Sequence, residues 1–370
     1  MHKLGISIYP EHSTKEKDET YLKLASKYGF SRVFTCLLSV ELPREEIIDE
    51  YTSLFKLAHS LGYEISIDTN PRVIEYLGAN PQNLKVFKDM GVDIIRLDGS
   101  YGAYLDMVMT NNPYGLMMEF NGSIDNPIEY MIAHGANPKQ MASCSNFYPQ
   151  RYTGLGYETL KEHSLKYQKA GLRTAAFITS QNKDTYGPWP VADGLCTVED
   201  HRDLPVSIQA RHLLASKVID DILIANAYAS EEELKELSEI DTSKITLGID
   251  LDHSTTSEEK SIITNYIHSS RPDHSDYILR SSMPRLDYRN VSIPARVVQK
   301  EMFERGDVLI VNDQLAHYRG ELQVVLKPIK NRGTHNLVGR LNQSEQLILN
   351  ELEIHYDHLF GFIINKGEKL

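Results

Sequence analysis

The sequence predicts an α/β fold: a closed (β/α)8 barrel of the TIM type over residues 1–242, followed by a small, mostly β domain over residues 243–370. Three observations predict it. Eight short apolar runs recur in the first part of the chain, and stretches of helical period lie between them. The runs lead into polar residues of the same few kinds, Asp, Glu, Asn, Ser and Gln. After residue 242 the texture changes to short strand-like runs separated by Gly, Asn and Asp, with little helical period.

The eight runs are "LGISIYPE" at 4–11, "SRVFTCLLS" at 31–39, "YEISIDTNP" at 63–71, "GVDIIRLDG" at 91–99, "GLMMEFNGS" at 115–123, "MASCSNFYP" at 141–149, "RTAAFITSQ" at 173–181 and "DILIANAYAS" at 221–230. Between the first two, "KEKDETYLKLASKYGF" sets Tyr21, Leu22, Leu24 and Ala25 on one helical face, and Gly29 suits a helix end. "REEIIDEYTSLFKLAHSLGY" repeats the device with Ile47, Ile48, Tyr51, Leu54 and Leu57, closing at Gly62. "YETLKEHSLKYQKAGLR" closes at Gly171. Alternating strands and helices give a parallel sheet. Eight units over roughly 235 residues match the usual length of about 250 for a closed barrel. An open doubly wound sheet is the alternative, weakened by the lack of a GxGxxG turn after the first strand. In the second domain the strand-like runs are "ITLGIDLDH", "YILRSSMP", "GDVLIVND", "GELQVVLKPI", "NLVGRL" and "LFGFIIN".

Composition bounds the function. The 370 residues are 41% hydrophobic and 24% charged, with a formal net charge of −12. An acidic chain without a Lys/Arg block argues against nucleic acid and anionic membranes as partners. The start "MHKLGISIYP" lacks the pattern of a secretory leader, and no window reaches the ~20 apolar residues of a membrane span. Cys36, Cys144 and Cys196 are scattered and odd in number, which fits a reducing cytoplasm. There is no HxH, HExxH or paired CxxC spacing, so neither a metal nor a cofactor is expected.

In a parallel barrel all strand C-termini open on one face, and that face holds the active site. The expected ring is Glu11, Ser39, Asp68 with Asn70, Asp98, Glu119 with Asn121, Asn146, Ser180 with Gln181, and Asn226. Any one of these also fits a turn or helix-cap role. Asp98 and Glu119 end neighbouring strands, which lie ~4.8 Å apart. Their carboxyls could stand ~5–7 Å apart, a range relevant to glycoside hydrolysis. They are therefore the expected catalytic pair, with the rest of the ring binding substrate. Arg96, two residues before Asp98, points the same way and reads as its salt-bridge partner. Tyr9, Tyr101, Tyr114, Phe120, Phe147, Tyr148, Tyr152, Tyr186 and Trp189 cluster in or after the strand ends. The long Gly/Pro-bearing stretch 179–202 is placed as a lid follows strand seven.

"GISIYPEHS", "DTNP", "IRLDGSYG", "MEFNGS" and "NFYPQRYTGL", with "RSSMPR" and "GDVLIVNDQLAHYRGELQVVL" later, resemble the signature segments of the 6-phospho-N-acetylmuramidases. That bacterial family was formerly catalogued as a domain of unknown function, in places as an outer surface protein. The resemblance spans nearly the whole chain. It implies a barrel followed by a cyclophilin-like β domain. It also implies cytoplasmic hydrolysis of N-acetylmuramic acid 6-phosphate β-1,4-linked to N-acetylglucosamine, for peptidoglycan recycling. The missing leader agrees with a cytoplasmic place and not with the outer-surface label.

A phosphorylated sugar needs concentrated donors on so acidic a chain. "ILRSSMPR" carries Arg280, Ser281, Ser282 and Arg285, the densest Arg/Ser cluster, and is the expected phosphate grip. Ser180 to Lys183, above strand seven, is the second candidate. Two other classes stay open. A phosphosugar isomerase or aldolase would want a Schiff-base Lys or a metal cluster at the strand ends, where only Lys183 comes near. A non-catalytic sugar-binding protein would leave several carboxylates on one face without a reason.

Overall fold

The computed structural model describes residues 2–190, 193–296, 300–355 and 357–365. The chain divides into two compact units, residues 1–240 and 241–370.

The first unit is a closed barrel of eight parallel strands: β1 (Leu4–Ser7), β2 (Arg32–Cys36), β3 (Glu64–Thr69), β4 (Ile94–Leu97), β5 (Met117–Asn121), β6 (Met141–Cys144), β7 (Arg173–Ile178) and β8 (Asp221–Ile224), each bonded to the next and β8 back to β1. Outside it run α1 (Lys15–Lys27), α2 (Arg44–Ser60), α3 (Pro71–Tyr76), α4 (Lys85–Met90), α5 (Ala103–Thr110), α6 (Ile128–Ala133), α7 (Tyr157–Lys169), α8 (Val206–Ala215) and α9 (Glu231–Ser238). The strand alternation sorts the core. Ile6, Val33, Ile65, Ile67, Ile95 and Leu97 face outward into the layer shared with Leu22, Tyr51, Phe55 and Leu160 of the helices. Phe34, Cys36, Cys144, Ala175, Phe177 and Leu223 form a separate cluster, which fits the opposite, inward face. Caps fix the helix starts: Thr14 accepts from the Lys17 N–H at 3.4 Å and Asn70 from the Val73 N–H at 3.0 Å. Gly29 and Gly62 take left-handed backbone just after α1 and α2, as the sequence expects.

One inward layer is charged. Arg32 binds Glu119 in a very short contact, Asp221 at 3.4 Å and Ser66 at 3.4 Å. Ser66 also donates to Glu119 at 3.3 Å. Both Arg32 and Glu119 are buried. Buried charges persist only when paired in this way.

The second unit contains β9 (Ile245–Leu251), β10 (His268–Ser269), β11 (Ile278–Ser281), β12 (Met302–Phe303), β13 (Asp307–Val311), β14 (Leu322–Val325), β15 (Ile329–Lys330), β16 (His335–Arg340) and β17 (Leu359–Ile364). Seven of them form one sheet in the order β10-β17-β9-β16-β13-β14-β11, and β12 pairs with β15. The unit is mostly β, with more helix than the sequence reading allowed: α10 (Ser257–Thr264), α11 (Pro284–Tyr288) and α12 (Gln346–Ile354). The signals were present. Thr256 and Glu259 make a capping box at α10. Ile348, Leu349 and Leu352 are the buried stripe of α12. Among the described residues, no helix is long and apolar enough to cross a membrane.

Candidate active site

A pocket of about 180 Å³ opens at the C-terminal mouth of the barrel, lined by Leu38, Asp68, Arg96, Asp98, Asn146, Phe147 and Trp189. Register sets its floor. Asp68 on β3 pairs with Arg96 on β4, and Asp98 stands two residues further along, on the same face as Arg96. Arg96 Nη1 lies 2.5 Å from Asp68 Oδ1 and 3.7 Å from Asp98 Oδ1. Its Nη2 donates to Asn146 Oδ1 in a very short bond and to the Cys144 carbonyl at 3.3 Å. The guanidinium is therefore a buried hub tying β3, β4 and β6 together, a larger role than the single salt bridge the sequence suggested.

The two carboxylates differ in environment. Asp68 is buried, and burial lifts its carboxyl from 3.8 to about 6 against the lowering pull of Arg96. The Asp98 side chain keeps 39% of its exposure. Two carboxyls in unlike surroundings are how one site holds an acid and an ionised group together.

The aromatic wall comes from two loops. Phe147 follows β6, and Trp189 belongs to the long segment after β7, their rings 6.4 Å apart. That segment is latched on the other side, where His12 Nε2 donates to the Pro188 carbonyl at 3.1 Å. Val191 and Ala192 of the expected lid lie outside the described residues.

Glu119 does not join this pocket. It sits in the middle of β5 with no exposure, and its carboxylate turns to Arg32 and Ser66. Barrel strands tilt by about 36°, so register neighbours step along the axis from strand to strand. Two strands on from Asp68, the side chain reaches the charged inward layer.

The other ring residues are distributed around the mouth. Glu11 accepts from Ser39 Oγ at 2.9 Å and Tyr51 OH at 3.2 Å. Asn70 caps α3. Asn121 Oδ1 accepts from the Ser123 N–H at 3.0 Å, a turn-forming role. Ser180 and Asn226 bind each other: Asn226 Oδ1 accepts the Ser180 N–H at 2.8 Å, and Ser180 Oγ donates to Glu233 at 2.6 Å. Gln181 Nε2 donates to the Arg202 carbonyl at 3.0 Å. Ser180 and Gln181 line a second pocket of about 180 Å³ with Arg151 and Arg202. There Arg151 is held by Asp203 at 2.7 Å and Arg202 by Glu199 at 2.6 Å.

The "RSSMPR" cluster of the second unit is likewise engaged. Arg280 Nε donates to Glu321 at 2.8 Å, Ser282 Oγ at 2.8 Å and Arg285 Nη1 at 3.4 Å. Burial alone would raise the Glu321 carboxyl, but the bonds from Arg280, Gln323 and Ser282 outweigh it and hold it below its usual value. Ser281 is buried 2.8 Å from His268 Nδ1. The cluster's positive charge is matched to that carboxylate.

Leu38 and Arg72, which also lie at the mouth, escaped the sequence reading. Leu38 sits in the loop after β2 and Arg72 in the first turn of α3, neither in a segment with a chemical signature of its own. Among the described residues, no group of three or more His, Cys, Asp or Glu is arranged to hold a metal ion.

Comparison with known proteins gives matching signals for both units. Residues 4–239 match the family model described as 6-phospho-N-acetylmuramidase, N-terminal, and residues 245–360 match its C-terminal counterpart. A crystal structure of an uncharacterized B. cereus protein is 39% identical, covers 98% of this chain and 99% of its own, and superposes with a TM-score of 0.89. A conserved Enterococcus faecalis protein of unknown function is 22% identical over 98% of this chain and 97% of its own, with a TM-score of 0.70, which speaks for the fold. No curated protein matches the chain.

Proposed function

The chain belongs to the 6-phospho-N-acetylmuramidase family, and on that premise we propose that it hydrolyses the β-1,4 bond between N-acetylmuramic acid 6-phosphate and N-acetylglucosamine. The observation that carries the reading is the family match over both units. The pocket at the barrel mouth supplies compatible chemistry. Asp68, lifted to about 6, is the general acid that protonates the leaving oxygen. Asp98, whose Oδ1 lies 3.7 Å from Arg96 Nη1, faces the positive charge that develops at the anomeric carbon. Arg96 and Asn146 fix both groups, while Phe147 and Trp189 offer ring faces to the sugar. Glu119 then serves the layer beneath. A Schiff-base aldolase fits less well, because no Lys stands among the seven pocket-lining residues.

The biological setting proposed is cytoplasmic breakdown of phosphorylated cell-wall disaccharides for reuse, with a cyclophilin-like second domain, as the family resemblance implies. The test is incubation with the 6-phosphorylated muramyl disaccharide. Release of N-acetylglucosamine is the expected result, and an intact disaccharide after prolonged incubation refutes the reading.

A further inference from the structure

A third pocket, of about 750 Å³, lies beside the one at the barrel mouth and shares Leu38 with it. Its walls are Leu37, Val40, Leu42, Pro43, Ile47, Val73 and Leu77, with Asn70, Arg72, Tyr76 and Glu41 supplying the polar part. The loop after β2, Asn70 after β3 and the first turns of α2 and α3 build it, so it extends the C-terminal mouth of the barrel. Arg72 is exposed and has no hydrogen-bond or ion-pair partner among the described residues. The contrast with the molecule's other candidate anion grips decides the argument. Arg280 and Arg285 bind Glu321, Arg151 binds Asp203, Arg202 binds Glu199, and Arg96 binds Asp68. A ligand at any of these would have to displace a carboxylate already in place. At Arg72 it would not.

We propose that this pocket is an anion subsite, with Arg72 gripping an anionic group of a sugar whose reacting end lies at Asp68 and Asp98. The inference rests on the glycosidase reading for the identity of the sugar. The apolar wall beside a single guanidinium suits either a phosphate on a sugar carbon or the carboxylate and methyl of a lactyl ether. Guanidinium binds both by charge-assisted hydrogen bonds. Asn70 fixes where Arg72 starts, since its side chain accepts from the Val73 N–H and caps the helix on which Arg72 stands. Glu41, also exposed, shares the pocket wall.

Equilibrium binding tests this without requiring turnover. Calorimetry would compare the wild-type chain with Arg72→Ala and Arg72→Lys, using N-acetylmuramic acid 6-phosphate, N-acetylmuramic acid, N-acetylglucosamine 6-phosphate and neutral N-acetylglucosamine. Arg72→Ala should weaken binding of the first sugar about tenfold or more, with Arg72→Lys intermediate. A loss confined to the two phosphorylated sugars assigns the phosphate to Arg72. A loss confined to the two muramic acids assigns the lactyl group. Equal affinity of wild type and Arg72→Ala for all four sugars, or an equal loss on all four including the neutral one, overturns the proposal. Turnover of the disaccharide by the wild-type chain tests the glycosidase reading separately, so the two can fail independently.

Discussion

Asp68 and Asp98 share one nitrogen: Arg96 Nη1 stands 2.5 Å from the first carboxylate and 3.7 Å from the second. These two oxygens can be no further apart than those distances laid end to end. That limit lies nearer the ~5–5.5 Å between carboxyls of retaining glycosidases than the middle of the ~6.5–9.5 Å range of inverting ones. The proposed hydrolysis should therefore retain anomeric configuration. Proton NMR of the first-formed muramic acid product reads this directly, and an initial α-anomer would refute it.

Removing either carboxylate should stop the reaction while sparing the fold. Asp98→Asn and Asp68→Asn should each lower kcat by about 10²–10⁴-fold, the usual range for general acid–base groups. Circular dichroism should confirm a folded chain in both cases. Near-normal turnover in one variant removes that residue from the role.

Glu119 should behave differently. Its side chain is fully buried against Arg32, so Glu119→Ala leaves a buried guanidinium without its main partner. The cost should be about 3–5 kcal/mol, read from urea unfolding. A variant of normal stability but abolished turnover would return Glu119 to the catalytic set.

Asp68 also sets a pH signature. Its carboxyl is raised from 3.8 to about 6 in the folded chain. Between those values the folded state holds a proton there that the unfolded chain has lost. Stability from this group is complete below 3.8 and is lost as pH rises through about 6. Asp68→Asn should flatten that part of the stability–pH curve. If Asp68 is the general acid, kcat/KM should fall on the alkaline side of the same value. A wild-type-minus-Asp68→Asn stability difference that rises across this window would contradict the assignment.

Much of the fold was legible because repetition is local. Each apolar run and each helical stripe can be read within a dozen residues, and eight repeats ending in polar residues admit few arrangements besides a closed barrel. The mouth of the barrel as the place for Asp68, Asp98 and Asn146 followed from the same logic. The helices of the second unit lie among short strand-like runs that dominate the segment, although the capping box at Thr256 and Glu259 marks the start of one of them in the sequence.

What the sequence by itself determined is thus the order of elements and the set of residues carried toward one face. Which of those residues meet was decided only by tertiary structure, because it depends on strand tilt and on partners distant in the chain. Tilt carries Glu119 from the ring of strand ends to the layer of Arg32, 87 positions away. It brings Arg96 to Asp68, 28 positions away, and to Asn146, 50 positions away. A carboxylate and a guanidinium look alike in sequence whether paired or free. Their partners fix the charge that remains, and so Glu321 engages Arg280 and Arg285, while Arg72 is left without a partner among the described residues.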